Sequence, residues 1–449
     1  MHVALNGWFW DQPHTGSGQY VRHLLAALTT LAPELRLSLI VPEQMHQLDH
    51  LPPKVDVLPM RVPIGGQIGK VWFEQRSFPR AVARLQADLA HVPYWGPPLR
   101  ISTPLVATVL DVIPLAVPEY RQGLKNRLYT SLVRAAARGA THILTISEDA
   151  RQGIQRLIDV PGERISVTPL AAEARFQPEG TPAEDNAVRA RYDLPDDFVL
   201  YLGSYAVHKN IRLLAAAYTY VAPAVGADVP LVLAGNTPAA WGTPRFPDIP
   251  AYLRELGLTA DQVHWIGPVA EADKPALYRL AKVFAFPSRY EGFGLGPLEA
   301  MASGTPVVAC AVSSVPEVTG DAAYLVDPND SKAFGGAILA LLFRKVSEET
   351  TSEDGKTFIT HEPAGWAEPD IASAFKIASD LMRREAGEPP NNTPPNDDWR
   401  EQAAARLPMG KLGQPDEIAD FVVLLLSDRS GVVTGSVIDW DQNVLGGLD

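Results

Sequence analysis

The stretch PSRYEGFGLGPLEAMASGTPVV, residues 287–308, decides how the second half of this chain is built. It leaves an apolar strand at residues 283–286, turns through Gly292, Gly294 and Gly296, enters a helix around residues 298–302, and returns to an apolar run at 307–310. Strand, glycine turn, helix, strand is the repeating unit of a parallel sheet with crossover helices. The glycines let the backbone approach a ligand closely, and the first N–H groups of the helix can face an anion or a hydroxyl. Glu291 precedes the turn and Glu299 lies within the helix. A carboxylate accepts two hydroxyl hydrogen bonds at once, which suits a vicinal diol. Single glutamates are nonetheless most often solvated surface residues, so the pair needs its context.

The same alternation extends in both directions. Residues 3–5, 37–41, 55–58, 105–109 and 142–145 read as strands, with helices over 18–31, 70–85, 125–138 and 147–158. A second set of strands follows at 198–202, 231–234, 263–266, 283–286, 307–310 and 324–326, with helices around 211–220, 274–280, 298–302 and 333–343. The predicted fold is α/β: two doubly wound, Rossmann-like domains facing across a cleft, the usual place for a ligand. The expected boundaries are 1–172 for the first domain, 173–186 for a polar linker without apolar periodicity, and 187–345 for the second. Residues 346–404 read as further linker, with acidic and Pro-Pro-rich segments, and 405–449 as a partial α/β appendage with a helix at 415–426 and a strand at 433–439.

Length supports this division, because 449 residues exceed one ordinary core. Apolar residues at 46% and charged residues at 20% are globular values. A net charge of −13 argues against nucleic acid as a partner, since that affinity comes from clustered Lys and Arg. The single cysteine, Cys310, has no internal partner and sits in an apolar run. With no signal-like start and no long apolar span, a cytoplasmic setting is expected.

Residues 287–308 as a whole resemble the signature of retaining glycosyltransferase family 4, the group 1 glycosyl transferases of GT-B fold. The resemblance implies that Glu291 sits at the donor sugar, Glu299 at the nucleotide ribose, and Gly292, Phe293, Gly294 and Leu295 along the donor. TGSGQYVRHLL, residues 15–25, is similar to the family's glycine loop, which places Gly16 and Gly18 near donor phosphates and acceptor. LGSYAVHKN, residues 202–210, is similar to its phosphate loop, with Lys209 on the diphosphate and Ser204 and His208 beside it. SSVPEVTGDAAYLVDP at 313–328 and LTISEDARQGI at 144–154 resemble its closing segment and the end of its first domain.

Two positions depart from the family. Leu110, before Asp111, stands where many members carry a His near the transferred sugar, leaving Asp111 as the candidate polar group there. Ser204 stands where others have Arg, and His208 is a candidate to compensate. The resemblance implies a hexose, mannose among the candidates, moved from a nucleotide-sugar donor to a glycan or lipid-linked acceptor with retention. With no nucleophilic carboxylate evident, front-face substitution assisted by Lys209 is favoured. Within the two α/β domains no Asp-x-Asp motif follows a strand, so neither a metal nor another cofactor is expected. A nucleotide-sugar-binding protein with little turnover and a sugar-nucleotide epimerase of the same fold are the alternatives.

Residues 123–140 form a basic amphipathic segment with Lys125, Arg127, Arg134 and Arg138 set against Leu124, Leu128 and Leu132. It reads either as a helix making peripheral contact with an anionic membrane at the inner face, or as one packed on the sheet with ordinary surface arginines. Residues 405–447 resemble the C-terminal end of short-chain dehydrogenases. The segment after residue 345 holds neither that family's glycine turn nor its Tyr-x-x-x-Lys, so no NAD binding is expected. It reads as a fusion or a gene remnant where these transferases carry a closing helix.

Overall fold

The computed structural model describes residues 1–13, 15–45 and 48–343, together with a short antiparallel pair, Thr350–Thr351 with Thr357–Phe358. The elements expected at 415–426 and 433–439 lie outside the described residues. Two compact units are present, Met1–Ala171 and a second beginning at Ala172.

In the first unit, β1 (His2–Asn6), β2 (Arg36–Pro42), β3 (Val55–Met60), β4 (Leu89–Val92), β5 (Leu105–Thr108), β6 (His142–Thr145) and β7 (Ile165–Val167) form one seven-stranded sheet. All pairs are parallel, in the order β3-β2-β1-β4-β5-β6-β7. The second unit repeats the pattern with β8 (Val199–Leu202), β9 (Leu231–Ala234), β10 (Val263–Gly267), β11 (Val283–Phe286), β12 (Val307–Cys310) and β13 (Tyr324–Val326), ordered β10-β9-β8-β11-β12-β13. Each sheet reverses its winding once, between β1 and β4 and between β8 and β11. Open α/β sheets bind ligands at the carboxyl ends of the strands flanking such a reversal.

The central strands are apolar throughout because helices cover both faces: β9, β11 and β12 are buried along their whole length. Cys310 ends β12 fully buried, donates its thiol to the Pro287 carbonyl at 3.3 Å, and is pushed by burial up to about 12.

Several expectations are corrected in detail. β4 and β7 were not predicted; β4 is four residues long and carries His91, whose buried ring bonds Thr108 Oγ1 at 2.9 Å, so its apolar run is broken. The stretch read as linker, 173–186, ends inside a helix, Pro182–Arg191. A capping box between Thr181 and Glu184, with Pro182 at the first position, starts this helix. Arg191 on Asp273 at 2.6 Å and Arg279 on Asp185 at 2.7 Å then bolt it to the second unit. The single helix expected over 70–85 is two helices, Gly66–Trp72 and Phe78–Leu85, joined by a π-helical turn at Phe73–Ser77.

The basic segment is the helix Leu124–Arg138. Its buried face is Val133, Ala136 and Ala137, whereas Leu124 is 73% and Leu128 62% exposed. Leu124 and Leu128 therefore point outward, while Leu132 is half-buried. Among the described residues, no helix is long and apolar enough to cross a membrane.

Candidate functional site

The carboxyl ends of β8 and β11 carry the residues singled out in the second unit. After β8 the chain makes a 3-10 turn, Val207–Lys209, and passes through Asn210 in left-handed conformation, with Nδ2 donating to the Pro328 carbonyl at 3.1 Å. This turn aims Lys209 toward the segment after β11. Lys209 Nζ lies 2.6 Å from Glu291 Oε1 and 5.3 Å from the centre of the Phe286 ring. Both side chains are largely buried, at 19% and 11% exposure. An ion pair removed this far from water is strong only while both partners remain.

The turn bearing Glu291 is pinned from the segment after β12. Ser313 Oγ accepts from Glu291 N at 2.8 Å, and Ser314 Oγ donates to the Phe293 carbonyl at 2.6 Å. Gly294 caps the helix Leu295–Ala302 at φ +124, a conformation that a side chain would strain. The helix thus begins at Leu295, earlier than expected, and its N-terminus directly follows the Glu291 turn.

Glu299 keeps different company. It is 9% exposed and accepts from Tyr278 OH at 3.0 Å. Burial, against the pull of Lys274, raises its carboxyl to about 7. It is therefore half protonated near neutrality and ionises fully only above that pH. His208 is buried, and burial and then the adjacent Lys209 lower it to about 4, so its imidazole is neutral at pH 7. Arg289 N donates to the His208 carbonyl at 2.8 Å, tying the two loops together. Ser204 is held from below, its carbonyl accepting from Tyr201 OH.

Gly16, Gly18 and Asp111 belong to the first unit. Gly16 opens the helix Gly16–Leu31, capped by Thr15, whose Oγ1 accepts from Gly18 N at 3.1 Å. A Cβ on Gly18 would collide with the Gln12 carbonyl, while one on Gly16 would meet open space. The two glycines differ in kind: Gly18 is demanded by packing and Gly16 is not. Asp111 Oδ1 accepts from Ile113 N at 2.9 Å, two residues on, where the short helix Ile113–Ala116 begins. Leu110 packs against the core of this unit. Among the described residues, no three His, Cys, Asp or Glu side chains converge to hold a metal ion.

Sequence reasoning missed Ser313, Ser314 and Tyr278, which position the two glutamates, and Glu74 in the first unit. For Glu74 a signal existed: Phe78 and Ala81 follow at helical spacing and are buried, so the carboxylate stands on the apolar stripe.

Two Rossmann-like parallel-sheet units, one carrying a Lys–Glu pair and a glycine-capped helix at its switch point, are the architecture of the GT-B class. The chain belongs to the group 1, family 4 glycosyltransferases. Residues 14–173 match the model of Glycosyltransferase Family 4 and residues 196–343 that of Glycosyl transferases group 1. A third model, Enoyl-(Acyl carrier protein) reductase, matches residues 376–443, in agreement with the dehydrogenase-like tail, which lies outside the described residues. The chain is 36% identical over 268 residues to the O-antigen chain mannosyltransferase B of Escherichia coli, covering 59% of this chain and 68% of that one. It is 31% identical over 228 residues to the serotype-specific mannosyltransferase WbdA of Escherichia coli, covering 49% of this chain and 27% of that much longer protein. Sucrose-phosphate synthase from Thermosynechococcus elongatus shares the fold, with TM-score 0.63 at 20% identity over 95% of this chain and 98% of that one.

Proposed function

We propose that this glycosyltransferase moves a hexose, mannose first among the candidates, from a nucleotide-sugar donor to a glycan or lipid-linked acceptor, with retention at the anomeric carbon. The observation that carries the reading is the Lys209–Glu291 pair, 2.6 Å apart at the β8/β11 switch point beside the N-terminus of the helix Leu295–Ala302. When a donor enters, its diphosphate competes for the Lys209 ammonium, and the freed Glu291 carboxylate accepts hydroxyls of the sugar. Lys209 and the helix N-terminus then support the charge that develops on the leaving diphosphate. Glu299, beyond the turn, takes the ribose diol. In a front-face substitution the acceptor oxygen bonds to the anomeric carbon on the side from which the phosphate departs, and its proton passes to the leaving phosphate oxygen. The mannosyltransferase relatives support mannose as the sugar and a surface polysaccharide as the product.

A thermal-shift panel of GDP-, UDP- and dTDP-sugars, followed by mass spectrometry of acceptor reactions, tests this reading. Stabilisation by one donor and a product heavier by one hexose are expected. Donor bound but neither transferred nor hydrolysed would favour a binding protein, the reading that an apolar, partly buried Leu110 before Asp111 supports.

The outward leucines of the helix Leu124–Arg138, with Arg127 exposed beside them, support a peripheral contact with an anionic membrane. Co-sedimentation with phosphatidylglycerol vesicles at low salt, lost on Leu124→Ser with Leu128→Ser, is the expected result; no sedimentation of the parent chain ends this part.

A further inference from the structure

The loop that follows β9, residues 235–248, is attached to the neighbouring strand ends at several points. Gly235 starts it at φ +141, where a Cβ would collide with the Gly203 carbonyl, so it leaves β9 against the chain that follows β8. Trp241 then docks in an aromatic cluster, its ring centre 5.5 Å from Tyr205 and 6.1 Å from Trp265. Tyr205 is 1% exposed and belongs to the core of this unit, so the loop is anchored there by the burial of a large aromatic face. Thr243 and Phe246 close the tip, each donating its N–H to the other's carbonyl at 3.1 Å. Between them the Arg245 carbonyl accepts from Val207 N at 2.8 Å, at the first residue of the turn Val207–Lys209.

That last bond sets Arg245 beside the turn that carries Lys209. A second arginine reaches the same turn from β11, because Arg289 N donates to the His208 carbonyl at 2.8 Å. The buried His208 imidazole registers the charges around it. Lys209, Arg245 and Arg289 all push it down, and Glu291 pushes it up. Cations from three separate loops therefore surround a turn whose nearest carboxylate, Glu291, already pairs with Lys209 at 2.6 Å. In a chain with a net charge of −13 such a concentration of positive charge is not the average character of the surface. Sugar hydroxyls do not call for it, whereas a phosphate group does. The planar guanidinium fork also matches two phosphate oxygens at once.

We propose that Arg245 and Arg289 hold the diphosphate of the nucleotide-sugar donor together with Lys209, and that the loop 235–248 delivers Arg245 to it. This rests on the transferase reading, and it adds two binding residues and the loop that positions one of them. Arg289 is half-buried and Arg245 exposed, so salt screens the contribution of Arg245 more strongly.

The test uses the full chain and titrates GDP and UDP by calorimetry, which needs no turnover. The parent should bind at least one of them. Arg245→Met and Arg289→Met should each weaken that binding about tenfold at low salt, while Arg245→Lys and Arg289→Lys, which keep the charge, should stay within about threefold of the parent. In about 0.5 M salt the effect of Arg245→Met should shrink below about threefold and that of Arg289→Met should persist. Arg289→Gln takes the place of Arg289→Met if the apolar side chain prevents folding. Three results overturn the proposal: Met variants that bind the diphosphates as the parent does, Lys variants that lose as much as the Met variants, and a parent that binds neither diphosphate. A parent that binds a diphosphate through these arginines but forms no glycosylated product would sink the transferase reading alone, since the titration still decides the subsite.

Discussion

Replacing Glu299 by Gln separates what this carboxylate does for the fold from what it does for the donor. The side chain is 9% exposed and accepts one hydrogen bond, from Tyr278 OH at 3.0 Å, which an amide oxygen can also accept. Its carboxyl is raised from 4.5 to about 7, chiefly by burial. At about 1.4 kcal/mol for each tenfold change in proton affinity, the ionised form is disfavoured in the fold by roughly 3 kcal/mol. Between pH 4.5 and 7 the folded chain keeps a proton that the unfolded chain has released, so stability falls as pH rises through that window, and the penalty is complete above about 7. Glu299→Gln removes the charge, so it should be neutral at pH 4.5 and stabilising at pH 8. For a unit of this size the gain at pH 8 is roughly 5–10 °C in melting temperature, with 3 kcal/mol as its ceiling. Differential scanning fluorimetry at the two pH values reads it directly. An equal shift at both pH values, or a loss at pH 8, would show that Lys274 keeps Glu299 ionised and would refute the argument. The same variant should weaken donor binding, because a neutral amide accepts the ribose hydroxyls less strongly than a carboxylate. In the parent, relative to the variant, donor affinity should rise from pH 6.5 to 8 as Glu299 gives up its proton.

Other expectations are briefer. Lys209→Met should lower kcat about 10²- to 10³-fold, the scale of losing one preorganised group at a developing charge, and a fall under about tenfold in steady-state rates would contradict the role given to it. Gly18→Ala should destabilise by about 1–3 kcal/mol because its Cβ would meet the Gln12 carbonyl, whereas Gly16→Ala should shift stability by less than about 1 kcal/mol; equal melting temperatures for the two would refute the packing argument. Cys310, buried and pushed up to about 12, should resist a thiol reagent at pH 8 in the native chain and react once urea unfolds it; rapid native labelling would contradict its burial.

The alternation of apolar runs and helical periods carried most of the architecture, because parallel strands covered on both faces must be apolar along their length. β11 and β12 coincide with the runs at 283–286 and 307–310 for that reason. What periodicity could not carry was local chemistry on a short element. His91 hides β4, and the capping box at Thr181 and Glu184 sets a helix inside a segment that is polar and rich in acidic residues. The candidate donor site was legible as a motif, yet its motif did not say that Glu291 and Glu299 live in opposite electrostatic settings. Glu291 lies against an ammonium at 2.6 Å, and Glu299 against a phenol, with burial raising its carboxyl to about 7. Lys209 and Tyr278 reach the motif from after β8 and from the helix Lys274–Leu280, segments the motif does not contain. The difference has a functional consequence. On the function proposed above, the paired Glu291 is released by the arriving diphosphate before it holds the sugar, while Glu299 is recruited by the ribose itself. Donor binding should therefore exchange one ion pair for another at Lys209 and expel a proton at Glu299. Isothermal titration at pH 7 in two buffers of different ionisation enthalpy would detect that proton, and Glu299→Gln should abolish it.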